Sequence, residues 1–113
     1  MEASDSSLKG QDEFELALKF EKGDGVEQDL FEAAEHLQKA ASLGHTGAMV
    51  KLGKAHMSGC GVMKNTRKAI ELFKQASSMG DTNGLVELGH CYDNGIGVCV
   101  DPKEAMRVYK QAA

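Results

Sequence analysis

Apolar residues recur along this chain at the three- and four-residue spacing that is typical of amphipathic helices. Leu52 follows Met49 and precedes His56 at this spacing, and the stretch around Leu88 repeats the arrangement. Short segments that contain glycine interrupt the helical stretches at regular intervals. The spacing therefore predicts short helices joined by tight turns, and an all-α fold.

The whole pattern repeats at a fixed step of 36 residues. A Gly-x-Gly-Val sequence begins at Gly23 and returns at Gly59 and Gly95. Leucine recurs at positions 16, 52 and 88, and alanine at positions 33, 69 and 105. Ten of the 13 glycines lie in recurring slots, which chance does not explain. Such a period with two helices in each unit predicts a solenoid, whose units bury their apolar faces by stacking on one another.

Each unit carries signals for the ends of its two helices. The first glycine of the turn is expected to close the first helix in the left-handed conformation. Asp29, Asn65 and Asp101 are predicted to cap the second helix of each unit at its N-terminus. Glu32 and Glu104 stand three residues after their caps and complete the pattern of a capping box.

The motif resembles that of a known family. Residues 48–80 read A-x-x-x-L-G-x-x-H-x-x-G-x-G-V-x-x-N-x-x-K-A-x-x-x-F-x-x-A-x-x-x-G. This resembles the Sel1-like repeat, a relative of the tetratricopeptide repeat, and the similarity covers residues 12–113. Ala17 departs from the family glycine, and His56 departs from the usual aromatic residue. The resemblance implies an α-solenoid of three Sel1-like helix-turn-helix repeats in a right-handed superhelix, with an adaptor role.

The chain divides into a leader and a repeat domain. Residues 1–10 are polar and are predicted to form a flexible N-terminal leader. Residues 11–113 form the repeat domain, with units at about 12–46, 47–82 and 83–113. The third unit is expected to be truncated or uncapped, which would expose its last helix near Met106 and Tyr109. A following unit or another copy of the chain would cover that face.

Charge and composition exclude several classes of protein. The net charge is −4, with 11 acidic and three basic residues in 1–36 against six acidic and ten basic residues in 37–113. This distribution lacks the broad basic face that nucleic-acid binding requires. No apolar run is long enough to insert into a membrane. The three cysteines are odd in number and irregular in spacing, which favours free thiols and a cytoplasmic location.

The candidate chemistry is weak by comparison with the repeat. His56, Cys60, His90 and Cys91 suggest a metal site, but His56 occupies a slot shared with aromatic residues and is interpreted as part of the core. The Gly-x-Gly turns lack the strand and the Lys-Ser/Thr of a phosphate loop. Ser6 has a lysine three residues later, as in penicillin-recognising enzymes, without their other motifs. The sequence therefore predicts no metal, no cofactor and no catalytic residues.

The best functional candidates lie on the first helix of each unit. In the related tetratricopeptide architecture these helices line the concave face, and the same is implied here. The predicted site for a protein or peptide partner comprises Phe14, Leu18, Glu21, Val50, Lys54, Met57, Val86, His90 and Asp93. Exposed apolar side chains in a row commonly mark a binding surface. The alternatives are a structural spacer within a longer repeat protein, a hydrolase like the cysteine-rich branch of the family, and self-association through the last helix.

Overall fold

The computed structural model describes residues 2–113, with side chains from residue 9 onward. Within this part the chain forms six helices and no strand: α1 (Glu2–Lys22), α2 (Leu30–Ser42), α3 (Thr46–Ser58), α4 (Thr66–Ser78), α5 (Thr82–Asn94) and α6 (Pro102–Ala112). The prediction of an all-α solenoid of three helix pairs is confirmed.

The helices pack as successive antiparallel pairs. Helices α1 and α2, α3 and α4, and α5 and α6 form the pairs, and each pair stacks on the next through the contacts of α2 with α3 and of α4 with α5. The core runs along the stack, and its largest fully buried side chains include Phe73, Met49 and Leu52. Burial of such apolar side chains between units is the main source of stability in this architecture.

The turn within each unit has the predicted geometry. Gly59 and Gly95 adopt left-handed conformations, with φ of 75° and 67°, and their N–H groups close α3 and α5 on the carbonyls of Ala55 and Cys91. An L-residue rarely adopts this conformation, which explains why glycine recurs in the slot.

The N-terminal caps are confirmed, but the capping boxes are not formed. The Oδ1 atom of Asp29 accepts hydrogen bonds from the N–H groups of Phe31 and Glu32, and Asn65 and Asp101 cap their helices in the same way. The backbone N–H of Asp29 donates to the carbonyl of Phe20 at 2.9 Å. This amide is therefore already used by the preceding helix, and the glutamate has no free donor to accept from.

Close approach within each pair depends on a small residue opposite a large one. A Cβ atom added to Gly53 would lie 2.6 Å from Cε1 of Phe73, and one added to Gly89 would lie 2.6 Å from Cε1 of Tyr109. In the first unit Ala17 replaces the glycine, and the shorter Leu37 replaces the aromatic residue. The larger residue at position 17, where the family has glycine, is thus accompanied by a smaller side chain at Leu37 on the opposing helix.

Helix α1 begins earlier than the predicted domain boundary. Its bounds include most of segment 1–10, for which the sequence predicted a flexible leader, and Met1 lies outside the described residues. Gly10 is buried, and a Cβ atom there would contact the Cβ atoms of Leu43 and His45. No proline interrupts the segment, so the helix can continue through it. The mobility of the leader stays a prediction.

Candidate functional site

The first helices of the three units line a shared concavity. Its volume is about 330 Å³. We call it the groove, and its lining residues come from α1, α3 and α5: Phe14, Gly47, Val50, Lys51, Lys54, Asn83, Val86 and Glu87. An apolar floor with a few polar groups at its border is typical of sites that bind other molecules.

Phe14 is held in place by a histidine. Its ring stacks on the imidazole of His45, with centroids 4.3 Å apart. The Nδ1 atom of His45 accepts from the backbone N–H of Ala48 at 3.0 Å, and the Nε2 atom lies 2.9 Å from Oε1 of Gln11. Because Nδ1 is the acceptor, Nε2 carries the proton and donates to Gln11. Phe14 therefore enters the groove as a positioned aromatic side chain.

The two valines of the floor differ in exposure. Val50 is only 7% exposed, because its helix α3 packs against α2, α4 and α5. The expectation that Val50 is an exposed contact residue is therefore corrected: it forms the buried base of the groove. Val86, on the outer helix α5, is 43% exposed and can be contacted directly. A Cβ atom added to Gly47 would lie 3.0 Å from Cε1 of His45 and 3.7 Å from Cζ of Phe14, so the absence of a side chain here makes room for the two stacked rings.

Ion pairs between adjacent units cross the floor of the groove. The Nζ atom of Lys51 lies 3.2 Å from Oε1 of Glu21, and Nζ of Lys54 lies 3.3 Å from Oε2 of Glu87. Both pairs are partly solvent-accessible, so each adds little to stability, about 0–1 kcal/mol. Their effect is to hold two ammonium groups at fixed places beside the apolar floor.

A family model for the Sel1 repeat matches residues 12–45, 46–81 and 83–113. The chain belongs to the Sel1 repeat family. Sel1 repeats are generally protein–protein interaction modules. No curated protein matches the sequence closely enough to count as a relative.

Solved structures of other Sel1-type proteins are similar to this chain. A Sel1 repeat protein from Oxalobacter formigenes is 33% identical with a TM-score of 0.86, over 91% of this chain and 42% of that one. The protective antigen c5321 of uropathogenic Escherichia coli is 31% identical with a TM-score of 0.88, over 91% of this chain and 22% of that one. Cysteine-rich protein B of Helicobacter pylori is 28% identical with a TM-score of 0.70, over 75% and 65%. This chain thus spans less than half the length of the first two.

The Sel1 units bring four of the nine predicted site residues together in the groove, namely Phe14, Val50, Lys54 and Val86. The others lie elsewhere. Leu18 borders a separate concavity at the outer side of α1, and Met57 packs against the core. His90 and Asp93 are exposed on α5, where the Nδ1 atom of His90 contacts Asn94. Glu21 reaches the groove only through its ion pair with a lysine.

Four lining residues were missed by the sequence analysis: Gly47, Lys51, Asn83 and Glu87. Gly47 and Lys51 lie three residues before and one residue after Val50, and Asn83 and Glu87 lie likewise around Val86. The two residues of each pair are four apart and therefore lie on one face of their helix, next to the valine. Opposite charges 30 and 33 residues apart gave a further signal for the two ion pairs.

Other chemistry is limited in the described part of the chain. No group of three or more potential metal ligands occurs among residues with described side chains. Burial raises the pKa of the Cys91 thiol to about 11, with the Glu87 carboxylate adding to the effect, whereas Cys60 and Cys99 are exposed. His56 is half-buried rather than a core residue, because its Nδ1 atom bonds to the carbonyl of Met63. None of the described helices has the length and apolar character needed to cross a bilayer.

Proposed function

We propose that this chain is an interaction module that binds an amphipathic helix or an extended apolar peptide of a partner protein in the groove. The observation that carries the proposal is the convergence of Phe14, Val50 and Val86, from three different units, on one floor. An apolar groove commonly takes the apolar face of an amphipathic helix from a partner.

The groove is prepared for binding before a partner arrives. The stack on His45 fixes the ring of Phe14, and the packing of α3 fixes Val50. Little side-chain freedom is therefore lost on binding, which favours affinity. A fixed aromatic side chain near the centre of an interface is also a common hot spot.

The charges of the groove favour an apolar guest with mixed charge. Lys51 and Lys54 are each paired with a glutamate, so the groove does not present an isolated basic clamp. A strongly acidic tail would have to compete with these glutamates. An amphipathic segment can instead place its apolar face on the floor and its polar groups beside the ion pairs.

Selection from a displayed library of random 16-residue peptides tests this proposal. The probe is the pool of peptides retained by the wild-type chain, and the variant is Val86→Asp, which places a carboxylate on the exposed part of the floor. We expect the variant to lose binding about tenfold or more, because the peptide would bury an unpaired charge. Fluorescence anisotropy of the selected peptides measures the loss.

Met79→Asp is the matched control, since Met79 is also exposed but follows α4, outside the groove lining. It should bind the selected peptides like the wild type. Equal binding of the peptides by wild type and Val86→Asp would overturn the groove as the binding site. Loss of binding in Met79→Asp alone would indicate that the peptides bind near the turn between α4 and α5 instead of in the groove.

A second candidate function is stacking through α6, as a spacer in a longer array or in self-association. Met106 on α6 is 58% exposed, whereas Ala34 and Ile70 occupy the same slot in the first two units and are each 5% exposed. In those units the following pair of helices covers the slot. The greater length of the similar Sel1 proteins supports this candidate.

No observation favours the hydrolase alternative. In the part of the chain with described side chains, the hydrogen bonds of the histidines are to Glu13, Gln11, Ala48, Met63 and Asn94, with no serine or cysteine among the partners. A role without catalysis and a cytoplasmic location stay predictions.

A further inference from the structure

A second concavity lies at the junction of the first two units. Its volume is about 220 Å³, and we call it the junction pocket. Its lining residues come from α1, α2, α3 and the turn after α3: Glu21, Leu30, Ala33, Ala34, Leu37, Lys51, Lys54, Ala55, Ser58 and Cys60. The floor is apolar and buried, and the charged and polar side chains stand around it.

The pocket arises from residues that are small at this junction. Several lining positions hold larger side chains one repeat later. Among them, Ala34, Leu37, Ala55 and Cys60 correspond to Ile70, Phe73, Cys91 and Ile96. Ile70, Phe73 and Cys91 are buried, and Ile96 packs against the core. Leu30, Lys51 and Lys54, which stand around the floor, are larger than their counterparts Thr66, Glu87 and His90. The junction pocket is therefore a feature of this sequence rather than of every unit.

The mouth of the pocket is held by a close backbone contact. A Cβ atom on Gly61 would overlap the carbonyl oxygen of Leu30, so only glycine lets the turn after α3 lie against the start of α2. Cys60, the preceding residue, is thereby placed at the mouth with its thiol exposed. A rigid wall of this kind keeps the pocket open without a ligand.

The pocket and the groove share two residues. Lys51 and Lys54 line both, and they form the divide between them. The pocket lining carries these two ammonium groups against the single carboxylate of Glu21. Lys54 is the freer of the two, with a side chain that is 58% exposed, because its partner Glu87 lies on the groove side.

We propose that the junction pocket takes one aliphatic side chain of leucine or methionine size, next to a carboxylate that pairs with Lys54. Its volume is below the ~300–1,000 Å³ of most sites for whole small molecules, and it suits a single side chain. The carboxylate can reach Lys54 from the pocket side, where it would compete with Glu87, the partner of Lys54 on the groove side. This inference rests on the proposed function in one respect: the side chain is taken to belong to a peptide that is bound in the groove.

Disulfide tethering at Cys60 tests the pocket without any partner. The probes are mixed disulfides of cysteamine with 3-mercaptopropionyl-leucine, 3-mercaptopropionyl-leucinamide and 3-mercaptopropionyl-glycine. The Cys60 thiolate attacks the probe, forms a disulfide with the mercaptopropionyl group and releases cysteamine. Equilibration with excess 2-mercaptoethanol and peptide mass spectrometry give the occupancy of each cysteine.

The chain supplies its own reference. Cys99 is exposed in the corresponding turn of the third unit, and Cys91 is buried. We expect the leucine probe to favour Cys60 over Cys99 by about tenfold, from burial of its side chain. The leucinamide probe lacks the carboxylate that would pair with Lys54. Its preference for Cys60 over Cys99 should therefore be about two- to fivefold smaller, which is the size expected for an exposed ion pair. The glycine probe should label both cysteines equally.

Two variants locate the effect. Ala34→Ile copies the side chain of the second junction and should abolish the preference for Cys60, and Lys54→Gln should abolish the difference between leucine and leucinamide. Equal labelling of Cys60 by the leucine and glycine probes in the wild-type chain would overturn the pocket, whether or not the variants fold. That result would not bear on the groove as a peptide-binding site. Conversely, unchanged peptide binding by Val86→Asp would overturn the groove proposal and would not bear on the pocket.

Discussion

A polar pair, Glu13 and His36, joins α1 to α2 in the first unit. The Nδ1 atom of His36 lies 2.6 Å from Oε1 of Glu13, and its ring stacks on Phe20 with centroids 5.5 Å apart. The His36 side chain is only 14% exposed, so this partner supplies most of its hydrogen bonding. The equivalent slots hold apolar pairs, Met49 with Leu72 and Leu85 with Val108. The first unit therefore uses a polar contact where the others use hydrophobic packing.

Replacing one member of this pair should destabilise the protein, and replacing both should restore it. Glu13→Met leaves the Nδ1 atom of His36 without its partner in a mostly buried place, and only the longer contact of Nε2 with Glu32, at 4.0 Å, remains. This should lower the free energy of unfolding by about 1–3 kcal/mol. Adding His36→Leu copies the apolar pair of the second unit and should recover most of the loss. Urea denaturation of the wild type, both single variants and the double variant at pH 7 measures the coupling. A double variant no more stable than Glu13→Met would contradict the equivalence of the slots.

At the scale of the helix pair, the distance between helices is set by matched residues. Gly53→Ala places a Cβ atom against the fully buried ring of Phe73. Overpacking costs about 1–3 kcal/mol, and the better helix propensity of alanine offsets up to about 1 kcal/mol of this. We expect a net loss of about 1–2 kcal/mol, measured by thermal denaturation.

The first unit provides the control for this change, since Ala17 and Leu37 coexist there. In a Phe73→Leu background, Gly53→Ala should be neutral or stabilising, because the shorter side chain leaves room for the new methyl group. An equal loss in both backgrounds would mean that α3 and α4 are not held apart by this contact.

Helix ends could be predicted from sequence because their causes are local. A glycine that closes a helix, as at positions 59 and 95, and an aspartate or asparagine directly before a helix can be recognised without knowledge of the rest of the fold. The capping boxes failed because the amide of Asp29 is used by the carbonyl of Phe20, nine residues earlier. That contact exists only after the two helices have folded against each other.

The groove was predicted in part for a similar reason. The slots of Phe14, Lys54 and Val86 follow from helical periodicity, which identifies a face of a helix. The burial of Val50 could not be derived in this way, because it depends on how α3 packs against the helices of its own and the neighbouring units. The junction pocket depends on side chains that differ between units, such as Ala34 and Ile70, and a repeat pattern contains only what the units share.

At the scale of the whole molecule, the two ends of the stack differ. A Cβ atom added to Gly84 would lie 3.0 Å from that of Ala76 in the preceding unit, so this slot requires a small residue for stacking. Ala48 fills the slot in the second unit, whereas the first unit has Asp12 there. The outer face of α1 would therefore not accept another unit in the way that α5 packs on α4. The face of α6 around Met106 has no such obstacle.

Self-association, if it occurs through these faces, should then join α6 to α6 rather than α6 to α1. A symmetric pair of this kind is the commonest arrangement of homodimers. Met106→Glu should keep the protein monomeric in sedimentation at all concentrations and leave its thermal midpoint unchanged, because the side chain is exposed in the monomer. Ile70→Glu, in the same slot but covered by the third unit, should unfold the protein through burial of an unpaired carboxylate. A wild-type chain that stays monomeric at high concentration would leave the face of α6 to a following Sel1 unit, and association that survives Met106→Glu would place the contact elsewhere.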